Sequence, residues 1–344
     1  MVPHHESQQQ PRQAVSRLGL YLPTALLIAV AVAWCGFWFY AANMTEKMLV
    51  TLKADESAKG RQWTCADQKV GGFPFRIEIF CSSVNLVATD EGRTARLKTG
   101  ALHAATQIYS PTLLLADMDG PLTVVSEGTE SNLAWETLRV SARFSDRPDR
   151  ISLAMSKPQL EVTMNGDEKI ASAAKYAEAH LRYDVGRPVE DRAIDLALQL
   201  NEVSSAAADN LFGSSDKLDF AINGVATKLS DLRAQGWRSL LETWRSAGGD
   251  FQMESGKLAK GALQIDAKGA LSLDSMHRLQ GKLDLAAKGL GPLLARFGGG
   301  GMNQLIGALL TRKDGTSVQW PMQLQEGRIQ IGPLRTGPVL GPLY

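Results

Sequence analysis

Between Arg17 and Glu46 the chain carries no Asp, Glu, Lys or Arg, and 22–42 is built mostly from Leu, Ile, Val, Ala, Phe and Trp. About 20 apolar residues in a helix cross roughly 30 Å of hydrocarbon, so 18–45 reads as a transmembrane anchor with room for tilt. Tyr21 at one end and Trp34, Trp38 and Tyr40 towards the other have the amphipathic rings that gather at membrane interfaces. A cleaved signal peptide is the competing reading. Its apolar region runs about 7 to 15 residues and ends in a small-x-small site. Here the run is longer, and Phe39 or Tyr40 stands two before Ala41 or Ala42. A lipid-modified Cys35 would follow a small residue, but Trp34 precedes it.

The rest divides into a tail (1–17), a polar stalk (46–60) and a body (61–344) with a candidate sub-boundary near 166. A formal net charge of +1 over 344 residues argues against a nucleic-acid binder, which needs clustered Lys and Arg for phosphates. An apolar content of 44% excludes both a disordered chain and a polytopic membrane protein. Charge does not set the orientation: Arg12 and Arg17 precede the span, while Lys47, Lys53, Lys59 and Arg61 follow it. Large C-terminal domains translocate largely regardless of such counts.

The cysteines are more informative. Cys65 and Cys81 flank Gly72-Phe73-Pro74-Phe75-Arg76, and period-two reading puts Phe73, Phe75, Ile77, Ile79 and Cys81 on one strand face. The two thiols could meet across the Gly71-Gly72 turn as a disulfide, which would mean an oxidising compartment. Two free buried thiols are the alternative. A metal site is disfavoured, because the spacing is not C-x-x-C and no histidine lies near.

An anchor followed by Trp63-Thr64-Cys65, by Gly72-Phe73-Pro74-Phe75-Arg76-Ile77 and by Cys81 resembles the bacterial family of domain of unknown function 2125 (DUF2125). The resemblance implies a β-rich body outside the cytoplasm and carries over no catalytic residue. The Gly-Phe-Pro-Phe segment and the glycine-punctuated C-terminal strands are also similar to anchored periplasmic proteins of the AsmA type, which are associated with lipid handling at the envelope.

Strand patterns run through 84–89, 96–109, 111–116, 122–126, 134–144, 151–155, 160–164, 173–184 and 193–203, separated by turn signals such as Asn165-Gly166. Close spacing without helices between argues for an antiparallel meander. Later, Leu229, Leu232, Trp237, Leu240, Leu241 and Trp244 recur at helical spacing after the N-cap candidates Ser230-Asp231. A second helical region covers 290–310, broken at Gly298-Gly299-Gly300-Gly301. Between them the segment 261–269 is repeated at 281–289, with glycine at both ends of each copy, and strands follow at 318–324 and 328–331. The expected fold is α+β and β-rich: one transmembrane helix, then a long, curved antiparallel meander with two or more helices packed on it.

Catalytic patterns are missing. The five histidines show no ligand spacing, and there is no G-x-S-x-G elbow. The four-glycine run lacks the Lys-Ser/Thr of a phosphate loop. No cofactor or metal is called for, and the chain reads as a non-enzyme. The expectation is a single-pass inner-membrane protein, N-terminus cytoplasmic and body periplasmic, that binds or shields a lipid or fatty-acyl ligand, with Trp237, Leu240, Leu241 and Trp244 as a lid. The competing reading is a scaffolding module acting through protein contacts, and an unrecognised hydrolase comes third.

Overall fold

The computed structural model describes residues 18–90, 92–144, 148–166, 168–184, 186–229, 237–289, 318–331, 334–335 and 339–344. The expected N-cap at Ser230-Asp231, the helical region 290–310 and its glycine run lie outside them.

Helix α1 (Leu18–Ala58) makes anchor and stalk one continuous rod of 41 residues. Its surroundings change part-way. From Tyr21 to Ala33 every side chain is exposed. From Trp34 on, one stripe is covered, at Trp34, Cys35, Trp38, Ala41, Ala42, Thr45, Leu49, Lys53 and Glu56, the three-and-four spacing of a helix lying on a surface.

Fourteen strands follow: β1 (Arg61–Ala66), β2 (Lys69–Gly71), β3 (Arg76–Cys81), β4 (Ser83–Asp90), β5 (Arg93–Thr99), β6 (Leu102–Gln107), β7 (Ser110–Met118), β8 (Leu122–Ser126), β9 (Thr129–Ala134), β10 (Thr137–Phe144), β11 (Pro148–Ser156), β12 (Gln159–Met164), β13 (Glu168–Ala173) and β14 (Tyr176–Tyr183). They are seven long strands, each bent once, at 67–68, 82, 100–101, 119–121, 135–136, 157–158 and 174–175. Each bent strand pairs antiparallel with the next through both arms: β1 with β4 and β2 with β3, then β4 with β5 and β3 with β6, and so on to β11 with β14 and β12 with β13. Backbone bonds carry the ladder over the bends, as in Ser82 N–H to Ala66 O, Gly100 N–H to Asp119 O and Lys157 N–H to Lys175 O. The result is an up-and-down meander creased along its middle.

The meander continues with β15 (Ile194–Ser205), β16 (Leu218–Ala226), β17 (Phe251–Lys260), β18 (Leu263–Leu273), β19 (Leu279–Lys288), β20 (Val318–Gln325), β21 (Arg328–Ile331) and β22 (Leu334–Arg335). Each is antiparallel to its predecessor, starting with β15 on β14. Among the described residues β1 and β22 are not paired to each other, and the sheet stays open. The two copies of the sequence repeat are the partner strands β18 and β19. Gly269, at φ +147°, lies where a Cβ would come 2.1 Å from Lys282 O, so only glycine fits that crossing.

The antiparallel meander is as expected. Some elements differ from their sequence reading. The run 96–109 is not one straight strand but β5 and β6 on either side of the bend, because Gly100 lets the chain turn against Asp119. Phe73 to Phe75 form a turn, and of the segment Gly72 to Arg76 only Arg76 lies in β3. Strands β16 and β17 were not anticipated. Helices α2 (Ala206–Phe212) and α3 (Trp237–Ser246) are short and sit at strand ends.

Among the described residues one charge is fully buried. The Lys260 side chain, on the apolar face at the end of β17, reaches Asp209 Oδ1 of α2 at 2.7 Å and the Asp216 carbonyl. Replacing Lys260 by Met would strand Asp209 and unpin α2. Loss of a partner from a buried pair costs about 3–5 kcal/mol. Asp209 retains some solvent contact, so we expect about 3 kcal/mol in urea unfolding of the detergent-solubilised protein. A loss below about 1 kcal/mol would show that α2 is held otherwise.

Candidate functional site

Strand pairing fixes which side chains share a face. On the arm containing β10, the residues Leu138, Val140 and Ala142 stand opposite Met155, Leu153 and Ile151. These in turn meet Ala177, Ala179 and Leu181, which meet Leu200, Leu198 and Leu196. The row continues through Phe220 and Ile222 to Leu258, Ile265, Ala267 and Leu285. On the other arm the matching face carries Trp63, Leu86, Leu97, Val124, Leu133, Leu160 and Val162. The opposite face is polar. It carries Arg139 with Asp117, Arg182 with Asp195, His103 with Glu78, and His180 with Ser152.

The apolar faces of the two arms turn toward each other across the crease. Cys65, on β1, is bonded to Cys81 at the end of β3, with their Cα atoms 5.2 Å apart. That bond joins one arm to the other on the inner side of the bend. Cys81 is 1% exposed, and Thr99, Leu138 and Met155, close to their own bends, are also buried. Further along the strands cover is uneven: Ile77, Ala142, Leu263, Leu283 and Leu324 are buried, but most positions between them are half-covered and Leu198 stays 38% exposed. A sandwich with a filled interior would bury such positions completely. The described residues instead outline an open apolar trough.

One end of the trough is occupied by α1. Trp38 and Ala42 pack on Ile77, with Val70 and Ile108 beside them. Lys53 lies over the Trp63 ring at 5.0 Å. The Trp34 indole N–H donates to Pro74 O at 2.9 Å and that of Trp38 to Arg76 O at 2.7 Å. Phe73 meets Trp38 edge-on and Phe75 approaches Trp34. Gly72, at φ +97°, sits where a Cβ would come 2.8 Å from Arg76 O, so glycine is needed to close this turn. The segment Gly72 to Arg76 is thus the contact between body and helix.

The lid candidates lie on α3. Trp244 is buried, and its N–H donates to Thr227 O at 2.7 Å, just past β16. Leu240 and Leu241 are half-buried, and Trp237 is exposed against the Tyr344 ring. Glu242 receives hydrogen bonds from Arg245 and Tyr344, in that order of effect, which hold it down to about 2. These contacts fix α3 and the C-terminus at the strand ends. No group of three or more metal-ligating side chains occurs among the described residues. A polar cleft of about 760 Å³ on the outer face contains Arg182 and Asp195, already paired with each other.

A family model described as an uncharacterised protein conserved in bacteria, DUF2125, matches residues 38–339. The chain belongs to DUF2125. No curated protein matches it. The DUF2125 match begins at residue 38, within α1, and takes in the disulfide, the Gly72–Arg76 contact and nearly all of the meander. Sequence reasoning found the cysteine pair and the motif but missed the crease. Its signal was present as odd steps in the apolar alternation, from Cys81 to Val84 and from Thr99 to Leu102.

Proposed function

We propose that this protein is a single-pass inner-membrane protein, with a cytoplasmic N-terminus and a periplasmic body, whose trough holds the acyl chains of a lipid. It acts by binding and shielding, with no chemical step. The observation that carries this reading is the half-open inner face: a row of Leu, Ile, Ala and Met side chains runs through successive strands with water as its alternative neighbour. Apolar surface left open in this way gains about 25 cal/mol per Å² when an acyl chain covers it. The helix long and apolar enough to cross a membrane, at the N-terminal end of the same chain, supports the location. The disulfide supports the compartment.

Two measurements test the reading. Protein purified in a mild detergent should release acyl lipid in stoichiometric amount on extraction and mass spectrometry. A chain that carries none, and takes up none from vesicles, acts through protein contacts instead. For the compartment, a cysteine at the exposed Ser215 should react with a membrane-impermeant maleimide in intact spheroplasts. Reaction only after lysis would place the body in the cytoplasm.

A further inference from the structure

We infer that the turns at one end of the bent strands are immersed in the bilayer interface beside α1, so that the trough opens directly into a lipid leaflet. This rests on the anchored reading above and adds the route by which lipid enters.

The argument begins with length. The part of α1 free of protein neighbours ends at Ala33. Even counted from Leu18, the first residue after Arg17, it supplies only about 24 Å of helix at 1.5 Å per residue. A hydrocarbon core of roughly 30 Å needs about four residues more. Those residues are 34–37, and they run directly into the hold on the body: Trp34 and, at the next position, Trp38 donate to the carbonyls of Pro74 and Arg76. The Gly72–Arg76 turn therefore shares the depth of the outer end of the span.

The chemistry of that end agrees. Phe73 is 53% exposed and Phe75 59%. The next turn on the same end is tied to them through Ile108 N–H to Phe75 O, and it presents Tyr109 at 67% exposure. Aromatic rings of this kind settle at headgroup level. Arg76 and Arg143, exposed near these tips, can meet lipid phosphates, although Arg76 also lies 3.7 Å from Glu78. The opposite ends of the strands carry Lys59 and Gly60, Asp90 and Gly92, Glu127 and Gly128, and Asn165 and Gly166, all polar or glycine. The turns beside α1 thus suit lipid and the opposite tips water, while the same end turns polar farther from α1, at Asp184, Arg187 and Asp191. Because α1 packs on the inner face through Trp38 and Ala42 against Ile77, its lipid-facing surface leads onto the trough.

The test uses the full-length protein in nanodiscs of phosphatidylethanolamine and phosphatidylglycerol. With Cys35→Ser removing the free thiol, a bimane label is placed at Tyr109→Cys, at Pro111→Cys as a second site, and at Glu127→Cys on the opposite end. Brominated lipid should quench the labels at 109 and 111 at least threefold more than the label at 127, and aqueous iodide should show the reverse order. Equal iodide quenching at all three sites would overturn the inference. Lipid bound in the body with an aqueous position 109 would defeat the route alone. An immersed position 109 on a body that binds no lipid would defeat the trough reading alone.

Discussion

Leu198→Glu should leave the sheet folded and empty it of lipid. Leu198 stands mid-strand on β15, on the inner face, with Ala179 and Ile222 beside it on the neighbouring strands. Its partial exposure gives a carboxylate there access to water in the lipid-free state, so the fold itself loses little. A bound acyl chain removes that water. Burying an unpaired carboxylate against hydrocarbon costs at least several kcal/mol, and each 1.4 kcal/mol is a factor of ten in affinity. Co-purifying lipid should fall at least tenfold, with an unchanged far-ultraviolet spectrum. Ala197→Glu, one residue away on the outer face, should retain a normal load. Equal loss in both variants would remove the trough from the explanation.

The second large effect concerns the crease. Replacing Cys81 should cost about 2–5 kcal/mol, the usual loss for a native disulfide in a domain that depends on it. The closed loop spans 16 residues, for which chain entropy alone accounts for about 3 kcal/mol. Because Cys81 is buried, Ser would add an unsatisfied hydroxyl, and Cys81→Ala separates that term. Guanidinium unfolding in detergent gives the magnitude, and non-reducing peptide mapping gives the bond. Two free thiols in protein isolated without reductant would contradict the pairing.

Much of this architecture was legible from local pattern. The anchor follows from the absence of charge, and the meander from alternation punctuated by turns. The pairing of β18 with β19 was foreshadowed by the repeat of 261–269 at 281–289. What was not legible depends on long-range contact. Gly72 to Arg76 alternates like a strand but is a turn, since its phenylalanines are claimed by Trp34 and Trp38 some forty residues earlier. The trough was hidden for a similar reason. An inner-facing Leu reads the same whether the opposite arm closes over it or stands away. Only the bends decide that, and each is one to three residues of ordinary composition. Trp237 and Trp244 show the limits of a helical stripe: the period was right, but Trp244 is held by a strand end and Trp237 faces Tyr344.

The order of the strands has a consequence for how the molecule is made. Each bent strand bonds only to the one before it and the one after it in the chain. A polypeptide emerging from a membrane pore with α1 already lodged in the bilayer can therefore add one strand at a time to a finished edge. Loop-closure costs stay small throughout, as they do wherever contacts are local. The Cys65–Cys81 bond closes within the first two of these strands, so the first part of the meander to be made is also the part whose bend is covalently fixed.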